Sequence, residues 1–229
     1  FMPNINSLAK KGISFKRAYT TQPVCGPARS AIFTGTYPHS NGMWANTIAL
    51  GDNIKTIGQR LSDNGINCGY IGKWHLDGGD YFGLGKCPEG WDSKYWYDMR
   101  NYLDQLPSDE DRYKSRQTNS MVKEDFDESF TFANGCTNRA IDFIDEYKNK
   151  DFFLSVSYDE PHHPFICPRR FYEEFEDFEF EKSPNVYDDL SDKPPHQKAW
   201  ADKRLSQDKN ALKIKNKYYF GANKYVDYE

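Results

Sequence analysis

The chain has 229 residues, a formal net charge of −4, 38% hydrophobic residues and 16% aromatic residues. That much apolar material builds a packed core, which excludes disorder throughout. The slight acidity gives no footing for nucleic-acid binding, and no apolar run reaches the roughly 20 residues that span a bilayer as a helix. The five cysteines (Cys25, Cys68, Cys87, Cys136 and Cys167) are odd in number and lack C-x-x-C pairing. That pattern argues against a disulfide framework or a zinc site, and one reserved reactive cysteine fits the odd count.

In chain order, the first predicted element is a helix from Asn4 to Lys11, with Gly12 as its stop signal. Ile13 and Phe15 then alternate with polar residues as on a strand. A second helix opens at Cys25 and ends near Thr34-Gly35, with Pro27 in a first turn where its missing N–H costs nothing. The start of a helix carries partial positive charge and free N–H groups, so it favours an anion beside Cys25; Arg29, one turn on, reaches the same place. Asn53 is a candidate cap for a helix with Ile54, Ile57 and Leu61 on one face, stopped by Gly65.

Asn67 to Ile71 reads as a strand running straight into Gly72-Lys73-Trp74-His75. Residues 88–130 are polar, aromatic and irregular and read as a surface insertion, in which Trp91, Tyr95, Trp96 and Tyr97 either stack on a sugar or pack under a loop. Cys136, Ala140, Ile144 and Tyr147 mark an amphipathic helix. Phe152 to Tyr158 is the apolar run of a strand buried on both faces, leading into Pro161-His162. Residues 173–210 are charged and read as an excursion; the acidic aromatic run 173–181 within it reads as a solvated helix face and an edge segment. A last helix carries Ile214, Tyr218, Ala222 and Tyr225 on one face. Helices alternating with buried strands predict an α/β fold with a mainly parallel central sheet flanked by helices. Ligands gather at the carboxyl ends of such strands, where Lys73, His75 and His162 are expected to meet. Lys73 and His75 are two apart and would point the same way on an extended segment.

Four segments carry a family resemblance. Cys25-Gly26-Pro27-Ala28-Arg29 followed by Thr34-Gly35 resembles the C-x-P-x-R signature of the type I sulfatases, within the alkaline phosphatase superfamily. Met2 to Ala9, Gly72-Lys73-Trp74-His75-Leu76 and Pro161-His162-His163-Pro164-Phe165 resemble three further blocks of that family in its order. The resemblance implies an alkaline-phosphatase/sulfatase-like fold and hydrolysis of a sulfate ester, of a sulfated small molecule or carbohydrate. It implies that a maturation enzyme oxidises Cys25 to formylglycine, whose hydrate is the nucleophile and a metal ligand. It implies a divalent cation, most plainly calcium, whose oxygen-ligand preference suits aspartates and the diol.

By the same resemblance Arg29 holds the diol, Lys73 contacts the sulfate, and His75 hydrogen-bonds the diol and takes its proton. His162 binds sulfate and, or else a later lysine, protonates the leaving alcohol. His163 is expected to point elsewhere, and His39 either lines the substrate entrance or is a turn histidine. Ala28, Asn41 and Asp77 depart from the commoner serine, histidine and glycine, which bears on specificity more than on chemistry. The family's remaining metal ligands have no counterpart here, so residues 1–229 are expected to be an internal part of a catalytic domain, inactive alone. A phosphonate or phosphate ester hydrolase of the same superfamily shares the nucleophile motif, and a noncatalytic binding domain or pseudoenzyme is the reading of a different class. The resemblance leaves both an exported or periplasmic and a cytoplasmic bacterial location open.

Overall fold

A computed structural model describes residues 1–78, 81–117, 125–179, 184, 188–205 and 209–229, with the backbone alone at 204, 205 and 209–214. Helix α1 (Pro3–Lys11) has no side-chain cap of its own. The carboxylate of Asp227 takes that part instead, accepting from the amides of Asn4 at 3.1 Å and Ile5 at 2.7 Å. This ties the first helix to the last. The strand expected at Ile13 and Phe15 does not form: residues 12–24 have no regular structure, and Ile13, Phe15 and Tyr19 are 84%, 79% and 88% exposed. Alternation alone makes no strand, because the ladder needs a neighbour, and none lies beside this segment among the described residues.

Helix α2 (Cys25–Thr34) stops at Gly35, whose φ of 70° is the left-handed conformation that glycine adopts freely. A short helix α3 (Pro38–Asn41) folds back on its C-terminal end, held by Asn41 Nδ2 to Ser30 Oγ at 3.1 Å. Helix α4 (Ile57–Ser62) starts later than Asn53 suggested: Thr56 and Gln59 form a capping box, a stronger start signal than a lone asparagine.

Strand β1 (Asn67–Gly72) is next, then α5 (Met99–Gln105), α6 (Asp109–Lys114), a 3-10 turn (Glu128–Phe130), α7 (Phe132–Tyr147) and β2 (Phe152–Ser157). The strands pair in parallel from Asn67 opposite Phe152 to Gly72 opposite Ser157. Helix α7 is the crossover that a parallel pair requires. Phe143 packs so closely on β1 that a Cβ at Gly69 would sit 2.6 Å from its ring. Helices α8 (Arg169–Glu173), α9 (Pro195–Leu205) and α10 (Lys209–Tyr228) complete the chain. Tyr218, Ala222 and Tyr225 are buried against Phe171 and Tyr172, as the last helix's pattern predicts; the Ile214 side chain lies outside the described residues.

The pleat of β1 divides two cores. Cys68 and Tyr70 face Phe33, Trp74, Trp91 and Trp96, while Ile71 faces Tyr97, Phe132 and Phe143. Among the described residues, the stretch read as an irregular surface insertion therefore holds two α-helices and part of the core. Trp91, Tyr95, Trp96 and Tyr97 are all buried, which makes them packing side chains rather than a sugar platform. Strand β2 is less covered than its apolar run predicts: Phe152 is 39% exposed, and β2 pairs with one neighbour only among the described residues. In the acidic run, Phe175 is buried while residues 180 and 181 lie outside the described residues. No helix among the described residues is long and apolar enough to cross a membrane.

Candidate active site

Both strands end at one edge, and the chain delivers Lys73, Trp74 and His75 from β1 and Asp159 to His163 from β2 to the same place. The turn out of β1 is fixed by Gly72, whose φ of 116° no side chain adopts easily. The Lys73 amide then donates to the Ser157 carbonyl at 2.8 Å, extending the ladder one step.

Arg29 locks this turn from below. Its Nε donates to the Trp74 carbonyl at 2.7 Å, and its Nη2 to the Lys73 carbonyl, the Tyr70 hydroxyl and, at 2.9 Å, Ser157 Oγ. Its Nη1 has no hydrogen-bond partner among the described residues. The guanidinium expected to hold the nucleophile thus spends one edge on organising the backbone that carries Lys73 and His75. The planar, permanently charged fork suits this job.

Lys73 is buried. Its ammonium donates to Tyr81 Oη at 2.8 Å, forms an ion pair with Asp159 Oδ1 at 3.0 Å, and lies 4.0 Å from the centre of the Tyr81 ring. Tyr81 in turn donates to Asp159 and packs edge-on against His75, ring centres 5.5 Å apart, and beside His162 at 5.0 Å. Lys73 and His75 do face a common space, though not on an extended segment: His75 has φ of 55°, a conformation uncommon outside glycine and concentrated at functional sites. Burial first, then the charges of Lys73 and Arg29, push the His75 imidazole down to about 4. The ring is therefore neutral near neutral pH, and its buried Nδ1 has no hydrogen-bond partner.

Cys25 is half-buried and free, at the open end of α2, and near enough to Tyr81 to help, after burial and Asp159, to raise the phenol above its ordinary range. The helix end offers fewer free amides than expected. The Gly26 N–H donates to Asn46 Oδ1 at 2.8 Å, Pro27 has none, and the Ala28 N–H is taken by the Val24 carbonyl. A Cβ on Gly26 would meet the flexible end of the Met43 side chain at 2.7 Å, which would have to shift to admit it.

His162 and His163 do not diverge. Their rings stack at 4.2 Å on a tight turn in which the Phe165 amide donates to the His162 carbonyl at 3.0 Å. His39 stands apart: it is exposed, stacked on Tyr37 at 5.5 Å, and α3 places it by the far end of α2 from Cys25. The structure thus brings together Cys25, Arg29, Lys73, His75 and His162, and leaves His39 outside. Sequence reasoning missed Tyr81, Asp159, Ser157 and Asn46. Asp159 had a readable signal, a carboxylate directly after a buried strand; Tyr81 lay in a segment with no pattern. Among the described residues no three of His, Cys, Asp and Glu converge as a metal centre.

The sulfatase family model matches residues 1–229. The chain belongs to the sulfatase family. An uncharacterized sulfatase of Escherichia coli (strain K12), YidJ, is 44% identical, over 98% of this chain and 46% of its own length. The N-acetylglucosamine-6-O-sulfatase of Bacteroides thetaiotaomicron is 26% identical, over 82% of this chain and 31% of its own length. In fold, the chain is similar to the phosphonate monoester hydrolase of Agrobacterium radiobacter, with a TM-score of 0.77 at 18% identity over 100% of this chain and 52% of that one. The sulfatase chain spans less than half the length of both curated relatives. The α/β fold with a parallel sheet, read from its sequence, is the one it has.

Proposed function

We propose that the protein to which these residues belong hydrolyses a sulfate monoester of a carbohydrate or small molecule, with a nucleophile made from Cys25. The observation that carries this reading is the meeting of Cys25, Arg29, Lys73, His75 and His162 around Tyr81 and Asp159 at the carboxyl ends of β1 and β2. The sugar sulfatase among the relatives supports the substrate class.

Oxidation of Cys25 to formylglycine by a maturation enzyme belongs to this proposal. The residues present fit it: the thiol is free, partly exposed and unbonded, and an unpartnered imidazole nitrogen lies in the same cluster. When formed, the hydrated aldehyde would supply a hydroxyl nucleophile toward sulfur and a second hydroxyl through which sulfate departs. Lys73 places positive charge beside the nonbridging sulfate oxygens, where charge must be held in the transition state. His75, neutral and with Nδ1 open, accepts the proton of a diol hydroxyl. His162, on the turn after β2, donates a proton to the departing alcohol oxygen. Arg29 Nη1, the one donor nitrogen it leaves unbonded, orients the group at position 25. Asp159 and Tyr81 hold the Lys73 ammonium in position.

A calcium ion is the cation this reading calls for. The described residues do not themselves make its site, so no step of the reaction is routed through it, and residues 1–229 alone are expected to be inactive.

The test is peptide mass spectrometry on Cys25 after co-expression of the full-length protein with a formylglycine-generating enzyme, paired with turnover of 4-nitrophenyl sulfate and of an aryl phosphonate diester. Conversion of Cys25 with preferred sulfate turnover is expected. An unmodified thiol would favour a noncatalytic domain, and preferred phosphonate turnover would transfer the site to the other hydrolase class.

A further inference from the structure

The imidazole of a reacting histidine is ordinarily oriented by a hydrogen bond on the ring nitrogen that does not react. In His75 the buried Nδ1 has no such partner among the described residues. What meets the ring instead is Tyr81, edge-on at 74° with ring centres 5.5 Å apart. The same phenyl ring lies against the His162 imidazole, 5.0 Å away and tilted by 37°. Its hydroxyl takes a further partner, accepting from Lys73 Nζ at 2.8 Å. One side chain thus touches the residues assigned to the base, the acid and the sulfate. Tyr81 is itself held firmly. Its ring packs against the core that includes Ile71, Tyr97 and Phe132, and meets Phe82 at a right angle, centres 5.3 Å apart. The Arg116 guanidinium covers Phe82 at 3.6 Å, and the Tyr81 hydroxyl donates to Asp159 Oδ1. A side chain fixed at both ends imposes its place on whatever packs against it. In His162, Nδ1 lies 2.7 Å from the His163 carbonyl oxygen, which can only accept, so Nδ1 carries a proton and Nε2 is the atom left to hand one over.

We propose that Tyr81 is a positioning residue for the proton transfers: its ring sets the orientation of His75 toward the nucleophile at position 25 and of His162 Nε2 toward the departing oxygen, while its hydroxyl separately anchors Lys73. The inference rests on the hydrolase reading and deepens it, by naming the part that keeps base and acid in register. Misplacing a reacting group by about 1 Å costs about a hundredfold in rate. Losing the hydroxyl costs less, because the Lys73 ammonium keeps its ion pair with Asp159 at 3.0 Å. Ring and hydroxyl therefore have separable effects, and the leaving group tells them apart. 4-Nitrophenolate departs readily without a proton, whereas phenolate, about as basic as a tyrosine side chain with its pKa of about 10, needs one from the acid.

The test measures kcat/KM for 4-nitrophenyl sulfate and for phenyl sulfate on the full-length protein with Cys25 converted. Tyr81→Phe keeps the ring and should lower both values equally, by about threefold to tenfold. Tyr81→Leu removes the ring. It should lower the 4-nitrophenyl value about a hundredfold and the phenyl value about tenfold more, because only the second substrate depends on a well-aimed acid. A substrate ratio in Tyr81→Leu equal to that of the unaltered protein, as a merely structural role would give, overturns the proposal; so does a Tyr81→Leu loss no larger than that of Tyr81→Phe. If Tyr81→Leu does not fold, Tyr81→Met supplies the same two readings. Failure of the unaltered protein to turn over 4-nitrophenyl sulfate would instead count against the hydrolase reading. In that case crystal structures of the full-length Cys25→Ala protein decide the positioning. The His75 and His162 rings should keep their places with Tyr81→Phe and leave them with Tyr81→Leu, and rings unmoved by Tyr81→Leu overturn it.

Discussion

The ammonium of Lys73 and the carboxylate of Asp159 form an ion pair at 3.0 Å in which both side chains are nearly buried, at 8% and 10% exposure. The two residues come from the ends of neighbouring parallel strands, so the pair fastens the two halves of the cluster to each other. Desolvated pairs gain little over an apolar substitute, but losing one partner strands a buried charge at a cost of about 3–5 kcal/mol. Asp159→Asn should therefore lower stability by about 3 kcal/mol, and the double variant Lys73→Met/Asp159→Leu should recover most of that loss. Urea unfolding of the wild type and these two variants measures it. Equal losses in the single and double variants would show that the pair does not couple the strands.

Arg29 suggests a separate experiment. Its fork serves two carbonyls just past β1, the Tyr70 phenol of β1 and the Ser157 hydroxyl at the end of β2, and a lysine cannot reproduce that geometry. Arg29→Lys should leave buried carbonyls unsatisfied, cost about 2 kcal/mol or more of stability, and lower kcat/KM by about a hundredfold through displacement of Lys73 and His75. A variant with wild-type stability and lost turnover would show that Arg29 acts on substrate alone, and not through the backbone.

These residues also show how far the sequence can be read. Cys25, Arg29, Lys73, His75 and His162 were singled out by the motifs the chain shares with its family, and the expectation that Lys73, His75 and His162 meet came from parallel strands, which gather the loops at their carboxyl ends into one place. Tyr81 and Asp159 were not: their roles come from a three-way contact with Lys73 that no periodicity encodes. The stacking of His163 on His162 was misread for a related reason, since the extended backbone assumed there is a tight turn. Ile13 and Phe15 have the right alternation, but pairing is a tertiary event and their segment stays irregular. Trp91 to Tyr97 look like loop residues by composition, and only their contacts with Tyr70, Phe33 and Phe143 make them core.

Glu160 and His75 give stability opposite pH slopes. The Glu160 carboxyl, about 8 in the fold against 4.5 as a free side chain, keeps its proton while the unfolded chain loses it. Stability therefore falls as pH rises from 4.5 towards 8. His75, about 4 in the fold against 6.5, stays neutral while the unfolded chain takes up a proton, so stability falls as pH drops from 6.5 to 4. Glu160→Gln removes the first effect. The difference in Tm between variant and wild type should grow steadily in the variant's favour from pH 5 to pH 8. Thermal melts at the two ends test this, and a difference independent of pH would mean that Glu160 is ionised in the folded protein.

Gly72 is where the fold and the site share one atom. With φ of 116°, its missing side chain leaves room for the Ser157 carbonyl, which a Cβ would approach to 2.1 Å. That same carbonyl accepts the Lys73 amide, and the Gly72 amide donates to the Tyr97 carbonyl at 2.6 Å. Backbone atoms on both sides leave nothing that can move aside cheaply. Gly72→Ala combines a strained dihedral with an overpacked contact, each worth about 1–3 kcal/mol, so a loss of about 3 kcal/mol or more is expected. Gly35→Ala is the matched control: it shares the positive φ, but nothing lies within 4 Å of the added carbon. It should cost only the dihedral strain, about 1 kcal/mol. Chemical denaturation of the two variants separates the contributions, and equal losses would show that the contact with Ser157 carries no cost of its own.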